Sequence, residues 1–159
     1  MAHDECLCRR GITLAVLGSG LSQIYPPEHA DLFKKIVEHG GCLLSEYEDD
    51  APPRPWRFPQ RNRLISAFSD AVIVVQAAQA SGGLVTARIA AESHGKTILA
   101  VPGSACSSEW AGSNRLLRDG ALVAADRDDL RAALSLLQES AVANAQQDEE
   151  DASTGSDHS

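Results

Sequence analysis

The chain has 159 residues, 43% of them apolar and 4% aromatic, which suits one domain with a single sizeable core. No stretch approaches the roughly 18 to 20 unbroken apolar residues of a membrane span, and the start MAHDECLCRR lacks the apolar centre of a secretory signal, so a cytoplasmic protein with no membrane partner is expected. The net charge of −8 argues against a nucleic-acid partner at first sight, but 5 of the 22 acids lie in residues 144–159; without them 17 acids face 14 bases, a net of −3, and local clusters decide what the body binds.

In chain order, ITLAVL (12–17) is an unbroken apolar run stopped by Gly18-Ser19-Gly20, the pattern of a strand buried on both faces. Pro26 and Pro27 then precede a helix in which Leu32, Ile36 and Val37 share a face and Gly40-Gly41 supplies the stop. A short strand, Cys42 to Ser45, leads into an acidic run (Glu46 to Asp50) and PPRPWRFP, whose prolines argue against ladder or helix. A helix is expected from about Arg61 to Phe68, the strongest strand over 71–75, and a helix from about Leu84 to His94 after a glycine pair. A strand from Thr97 to Val101 ends at Pro102-Gly103, a helical segment covers Asn114 to Arg118, and a short strand covers Ala121 to Ala124. Asp126 is an N-cap candidate for a last helix with Leu130, Leu134 and Leu137 at helical spacing. This alternation predicts an α/β, Rossmann-like fold: a mostly parallel sheet with helices on both faces. It occupies residues 1–140, and the acid-rich 141–159, poor in apolar side chains, is expected to be a disordered tail.

Ligands of such sheets bind at the carboxyl ends of strands, which directs attention to three stretches. Ser81-Gly82-Gly83 stands between a strand and a helix, where small residues let backbone approach a phosphate and the unpaired amides of the first helical turn attract it; Thr86 adds a hydroxyl. The alternative is a plain tight turn. Gly18-Ser19-Gly20 offers a second small-residue turn, but Gln23 breaks the dinucleotide spacing, and a simple strand exit accounts for it equally. The third stretch, RPWRFPQRNR (54–63), has four arginines, two aromatics and no acid. Guanidinium forks suit phosphate, and Trp56 and Phe58 suit stacking on exposed bases. Its alternative is a solvated loop pinned by Phe58, with arginines paired to the acids of 46–50.

The reactive groups of standard hydrolases, NTPases and metalloproteases are missing: there is no G-x-S-x-G, Walker lysine or H-E-x-x-H. The four cysteines, Cys6, Cys8, Cys42 and Cys106, fit neither a disulfide framework nor a zinc site and read as reduced thiols. No metal, no cofactor and no catalytic centre is expected.

At these motifs the sequence closely resembles the DNA processing protein A (DprA, Smf) family. The resemblance runs through TLAVLGSGL (13–21), YPPEH (25–29), LLSEY (43–47), FPQRNRLI (58–65), SGGLVTARIAAESHGK (81–96), AVPG (100–103) and GSNRLLRDGA (112–121). Gln76 stands where the family often has glutamate, and Asp50-Ala51 replaces the usual Pro-Gly. Ala2-His3, Leu7 and Gly11 resemble the end of the helix that precedes this strand in the family, so the chain is expected to start partway into the domain, after the family's first strand with its Gly-Ser-Arg turn; the family's N-terminal helical module and C-terminal winged helix are not expected in this sequence.

The resemblance implies a non-enzymatic single-stranded DNA binder that helps load a RecA-type recombinase during natural transformation, in a family whose members dimerise through this domain. It places Phe58, Arg61, Asn62 and Arg63, with Ser81, Gly82 and Gly83, in the DNA site. Two other readings stay open: a Rossmann-like protein that binds or hydrolyses a nucleotide-derived small ligand, and a decayed fragment with a regulatory role.

Overall fold

The computed structural model describes residues 2–139; the predicted acidic tail lies outside them. The chain divides into two compact units, Met1–Ser69 with Val85–Gly95, and Asp70–Leu84 with the chain from Lys96 onward. The fold class is the expected one, α/β with parallel strands and helices on both sides.

The first unit opens with helix α1 (Ala2–Cys8), which ends where Arg10 takes a left-handed φ of 59° and the Gly11 amide reaches back to the Cys6 carbonyl at 2.8 Å. This six-to-one closure usually carries glycine at the left-handed position; here arginine fills it. Strand β1 (Leu14–Val16) follows, then helix α2 (Ala30–Glu38) and strand β2 (Cys42–Leu44), which pairs parallel to β1 with Leu14 opposite Cys42 and Val16 opposite Leu44. Ala15 and Leu17 from the β1 segment meet Phe33 and Ile36 of α2, with Leu7, Leu32 and Leu43 packed around them. Ile36 is fully buried, worth about 1.5–3 kcal/mol of transfer free energy. Val37, expected on the same face, is 54% exposed; Phe33 covers the core in its place.

Helix α3 (Arg57–Ala67) starts four residues earlier than its sequence suggests. Pro59 is its third residue, where the missing amide would have had no intrahelical partner, so the proline is compatible with the first turn. At its other end Ser66, wholly buried, exchanges a 2.7 Å hydrogen bond with His94 Nδ1 of helix α4 (Gly82–His94), most of which belongs to this unit.

In the second unit β3 (Ala71–Val74), β4 (Thr97–Ala100) and β5 (Leu122–Val123) form a parallel ladder in that order. The five strands expected in one sheet thus pair as two ladders, β1-β2 and β3-β4-β5. Strand patterning reports parallel pairing but not which strands share an edge. Leu99, on the central strand, packs with Ala124, Ala133, Ala71, Val101 and Leu130. Helix α5 (Ala111–Arg118) precedes β5, and helix α6 runs from 127 to 139. Asp126 caps α6 as predicted: its Oδ1 accepts from the amides of Asp128 and Asp129 at 2.8 and 3.0 Å. Leu130 faces the core, whereas Leu134 is 56% exposed and Ala133 takes the buried position.

Candidate functional site

The first unit holds the arginine-aromatic stretch and the Gly18-Ser19-Gly20 turn. In a parallel ladder alternate residues turn their polar groups to one neighbour. Leu17 donates to the Leu44 carbonyl and Cys42 to the Thr13 carbonyl, which leaves the Val16 carbonyl on the other edge of β1. Arg61 Nη1 donates to that carbonyl. Burial pushes the Arg61 guanidinium below its ordinary pKa, with the charge retained, and its Nε lies 3.3 Å from Asn62 Oδ1. One turn of α3 away, Phe58 packs where Gly18 leaves room: a Cβ on Gly18 would come within 2.9 Å of the ring. Tyr25 meets Phe58 from another side, with centroids 5.6 Å apart.

Arg63 is more than half exposed and pairs with Glu46 through one nitrogen, Nη2 lying 2.5 and 2.6 Å from the two carboxylate oxygens. Arg57 is fixed differently: Nη1 donates to the Pro52 carbonyl at 2.6 Å, and its guanidinium lies over the Tyr47 and Trp56 rings. Its buried Nε has no hydrogen-bond partner among the described residues. Of the four arginines in 54–63, only Arg63 pairs with a carboxylate among the described residues. Both readings of this stretch are therefore visible at once: Phe58 is a pin, one arginine is ion-paired, and three cations keep their charge without an acid.

Gly18, Ser19 and Gly20, expected to offer donors to phosphate, are buried. The Ser19 hydroxyl donates to the Gln23 carbonyl at 2.7 Å, the Ser45 hydroxyl donates to the Ser19 carbonyl at 2.7 Å, and the Gly20 amide donates to the Ala51 carbonyl at 2.8 Å. A Cβ on Gly20 would collide with the carbonyls of Glu48 and Asp49. The Ser19 hydroxyl and the Gly20 amide are thus committed to internal carbonyls, and the turn seats the acidic loop and Phe58.

Ser81, Gly82 and Gly83 belong to the second unit, with Gly82 and Gly83 exposed. Two of the first-turn amides expected here to be unpaired are in use. The Gly83 amide donates to Ser81 Oγ at 3.2 Å and the Leu84 amide to the Ser81 carbonyl at 3.1 Å, so Ser81 caps α4. Because α4 begins at Gly82, half-buried Thr86 falls in the second turn rather than the first.

Sequence reasoning missed the residues that fix the root of this loop. The Ala77 amide donates to Ser113 Oγ at 2.9 Å, and the Ala77 carbonyl accepts from the amides of Gly112 and Ser113 at 2.8 and 3.2 Å. Asn114 grips both polar groups of Gly103, each at 3.1 Å. Their signal was the run Gly112-Ser113-Asn114 in the first turn of a helix, small and amide residues suited to close backbone contact. Among the described residues no group of three His, Cys, Asp or Glu is placed to hold a metal, and no helix is long and apolar enough to cross a membrane.

The family model described as DNA recombination-mediator protein A matches residues 1–135. Protein Smf of Escherichia coli (strain K12) is 42% identical over 130 residues, which is 82% of this chain and 34% of that protein. DNA processing protein DprA of Bacillus subtilis (strain 168) is 38% identical over 130 residues, 82% of this chain and 43% of that one. The chain thus spans about a third to under half of these relatives' length. Among solved structures, DNA processing protein A from Streptococcus pneumoniae superposes with a TM-score of 0.76 at 35% identity, covering 82% of this chain and 46% of that one. The Helicobacter pylori protein, described for its unique single-stranded DNA binding mode, gives 0.69 at 33% identity, covering 80% and 57%.

Proposed function

The chain belongs to the DNA recombination-mediator protein A family, and from that premise we propose that it binds single-stranded DNA in DNA processing and recombination and performs no catalysis on it. The observation that carries the proposal is the acid-free stretch 54–63 that leads into α3, where Arg54, Arg57 and Arg61 have no carboxylate partner among the described residues and Arg63 has one it can exchange for phosphate. Phosphates of the strand engage Arg63 and the flanking arginines, Arg61 and Asn62 shape the backbone beneath them, and Phe58 holds α3 against β1. The exposed Gly82 and Gly83, beside Ser81, form a second proposed contact, in which a phosphate oxygen replaces the long Ser81 cap. Thr86, half-buried one turn on, is proposed to support that helix start.

The H. pylori relative supports this assignment by what it binds. Delivery of the strand to a RecA-type recombinase during natural transformation, action in the cytoplasm, and self-association rest on the family resemblance. The test is a filter-binding titration with single- and double-stranded oligonucleotides at two ionic strengths. Preference for the single strand is expected, with log K falling by about 0.7 per phosphate neutralised for each unit of log salt. Equal affinity for both, or binding indifferent to salt, rejects the proposal.

A further inference from the structure

Of the two aromatics in the basic stretch, Phe58 is enclosed between Gly18 and Tyr25, whereas Trp56, on the residue before α3, is 55% exposed. Trp56 is also braced. The Arg57 guanidinium lies 5.1 Å from the Trp56 ring centroid and 4.4 Å from that of Tyr47, so a cation sits against both rings. That cation is held by its bond to the Pro52 carbonyl. Tyr47 is tied down in turn, its amide donating to Ser45 Oγ at 3.1 Å and its hydroxyl 3.4 Å from Gln60 Oε1.

We propose that Tyr47, Arg57 and Trp56 form a fixed stacking platform, and that an unpaired base of the bound strand lies on the open part of the Trp56 indole. This deepens the single-stranded DNA reading and rests on it. An indole offers the largest π-face of any side chain, stacking on it accepts any base, and a platform whose rotamers are already ordered loses little entropy on binding. The occupant is a nucleic acid base because Trp56 and Arg57 belong to one short run of sequence with Arg54, Arg61 and Arg63, a composition that draws a polyanion. Bases in a duplex are already stacked on one another, so the platform favours single strands.

The full chain is titrated with a short oligothymidylate and with the same oligonucleotide carrying consecutive abasic sites, while tryptophan emission is followed. Oligothymidylate is expected to quench the wild-type protein, and the quench is expected to vanish in Trp56→Phe, where Trp110 alone reports. Trp56→Phe keeps affinity within about threefold, while Trp56→Leu and the abasic strand each lose roughly 5- to 100-fold with an unchanged salt slope, because no phosphate contact is removed. Tight binding without quenching, or an abasic strand bound as tightly as the intact one, overturns the platform and leaves the DNA reading standing. If neither strand binds wild type, both fall. The abasic arm needs no variant, so misfolding of Trp56→Leu does not blunt the test.

Discussion

The guanidinium of Arg61 donates to the backbone carbonyl of Val16 at the end of β1, so a residue whose sequence context suggests a phosphate clamp closes the edge of a strand. A half-buried guanidinium in such a bond is costly to remove, because the carbonyl is left without its donor and the helix loses its tether. Arg61→Ala is expected to lower stability by about 1–3 kcal/mol, read from the urea midpoint, whereas Arg63→Ala should change it by less than about 0.5 kcal/mol. An unchanged midpoint for Arg61→Ala would show that the tether does not hold the strand end.

Arg63 and Glu46 form an exposed ion pair, so phosphate and carboxylate compete for the same guanidinium. Glu46→Gln should tighten single-stranded DNA about two- to fivefold at low salt, and the gain should shrink as salt screens the pair. Arg63→Ala should lower the magnitude of the salt slope by about 0.7. Binding isotherms at several ionic strengths decide both; a slope identical to wild type removes Arg63 from the interface.

Arg10 is the one non-glycine residue with positive φ among those described, at the end of α1. Glycine adopts that conformation without a Cβ clash, so Arg10→Gly is expected to raise stability by about 1 kcal/mol, seen as a higher thermal midpoint. A lower midpoint would mean that the arginine side chain makes a contribution larger than the backbone cost.

Gly112 lies where a Cβ would come within 2.6 Å of the Ala78 carbonyl and 2.8 Å of the Ala77 carbonyl. Neither is the end of a flexible side chain, so Gly112→Ala must shift backbone and should cost about 1–3 kcal/mol. Ser113→Ala strands the buried Ala77 amide and should cost a similar amount. If chemical denaturation finds both variants as stable as wild type, the contact between α5 and the loop after β3 is not a structural constraint.

Much of the architecture was legible because apolar runs, glycine stops and Asp126 each report a local preference that tertiary structure did not override. What escaped was non-local. Pro59 discouraged the first turn of α3, although a proline third in a helix forfeits no bond. Val37 and Leu134 had the right spacing but lost the core positions to Phe33 and Ala133, since spacing gives a face without its centre. At the site, residue types pointed to phosphate chemistry, yet only coordinates reveal which polar groups are already committed: Ser19 and Gly20 to carbonyls, Gly83 to Ser81, Arg61 to Val16. The Arg57 stack was hidden because Tyr47 is ten residues distant.

The Asn114 carboxamide and its neighbours make three amides outside any ladder depend on one turn of helix. Gly103 is shielded by Asn114, Ala77 by Ser113, and Gly112 by the Ala77 carbonyl, all through the first turn of α5. Fraying of that turn releases all three to solvent together, so their hydrogen-deuterium exchange follows a single opening free energy, and the loops behind β3 and β4 breathe as one cooperative unit.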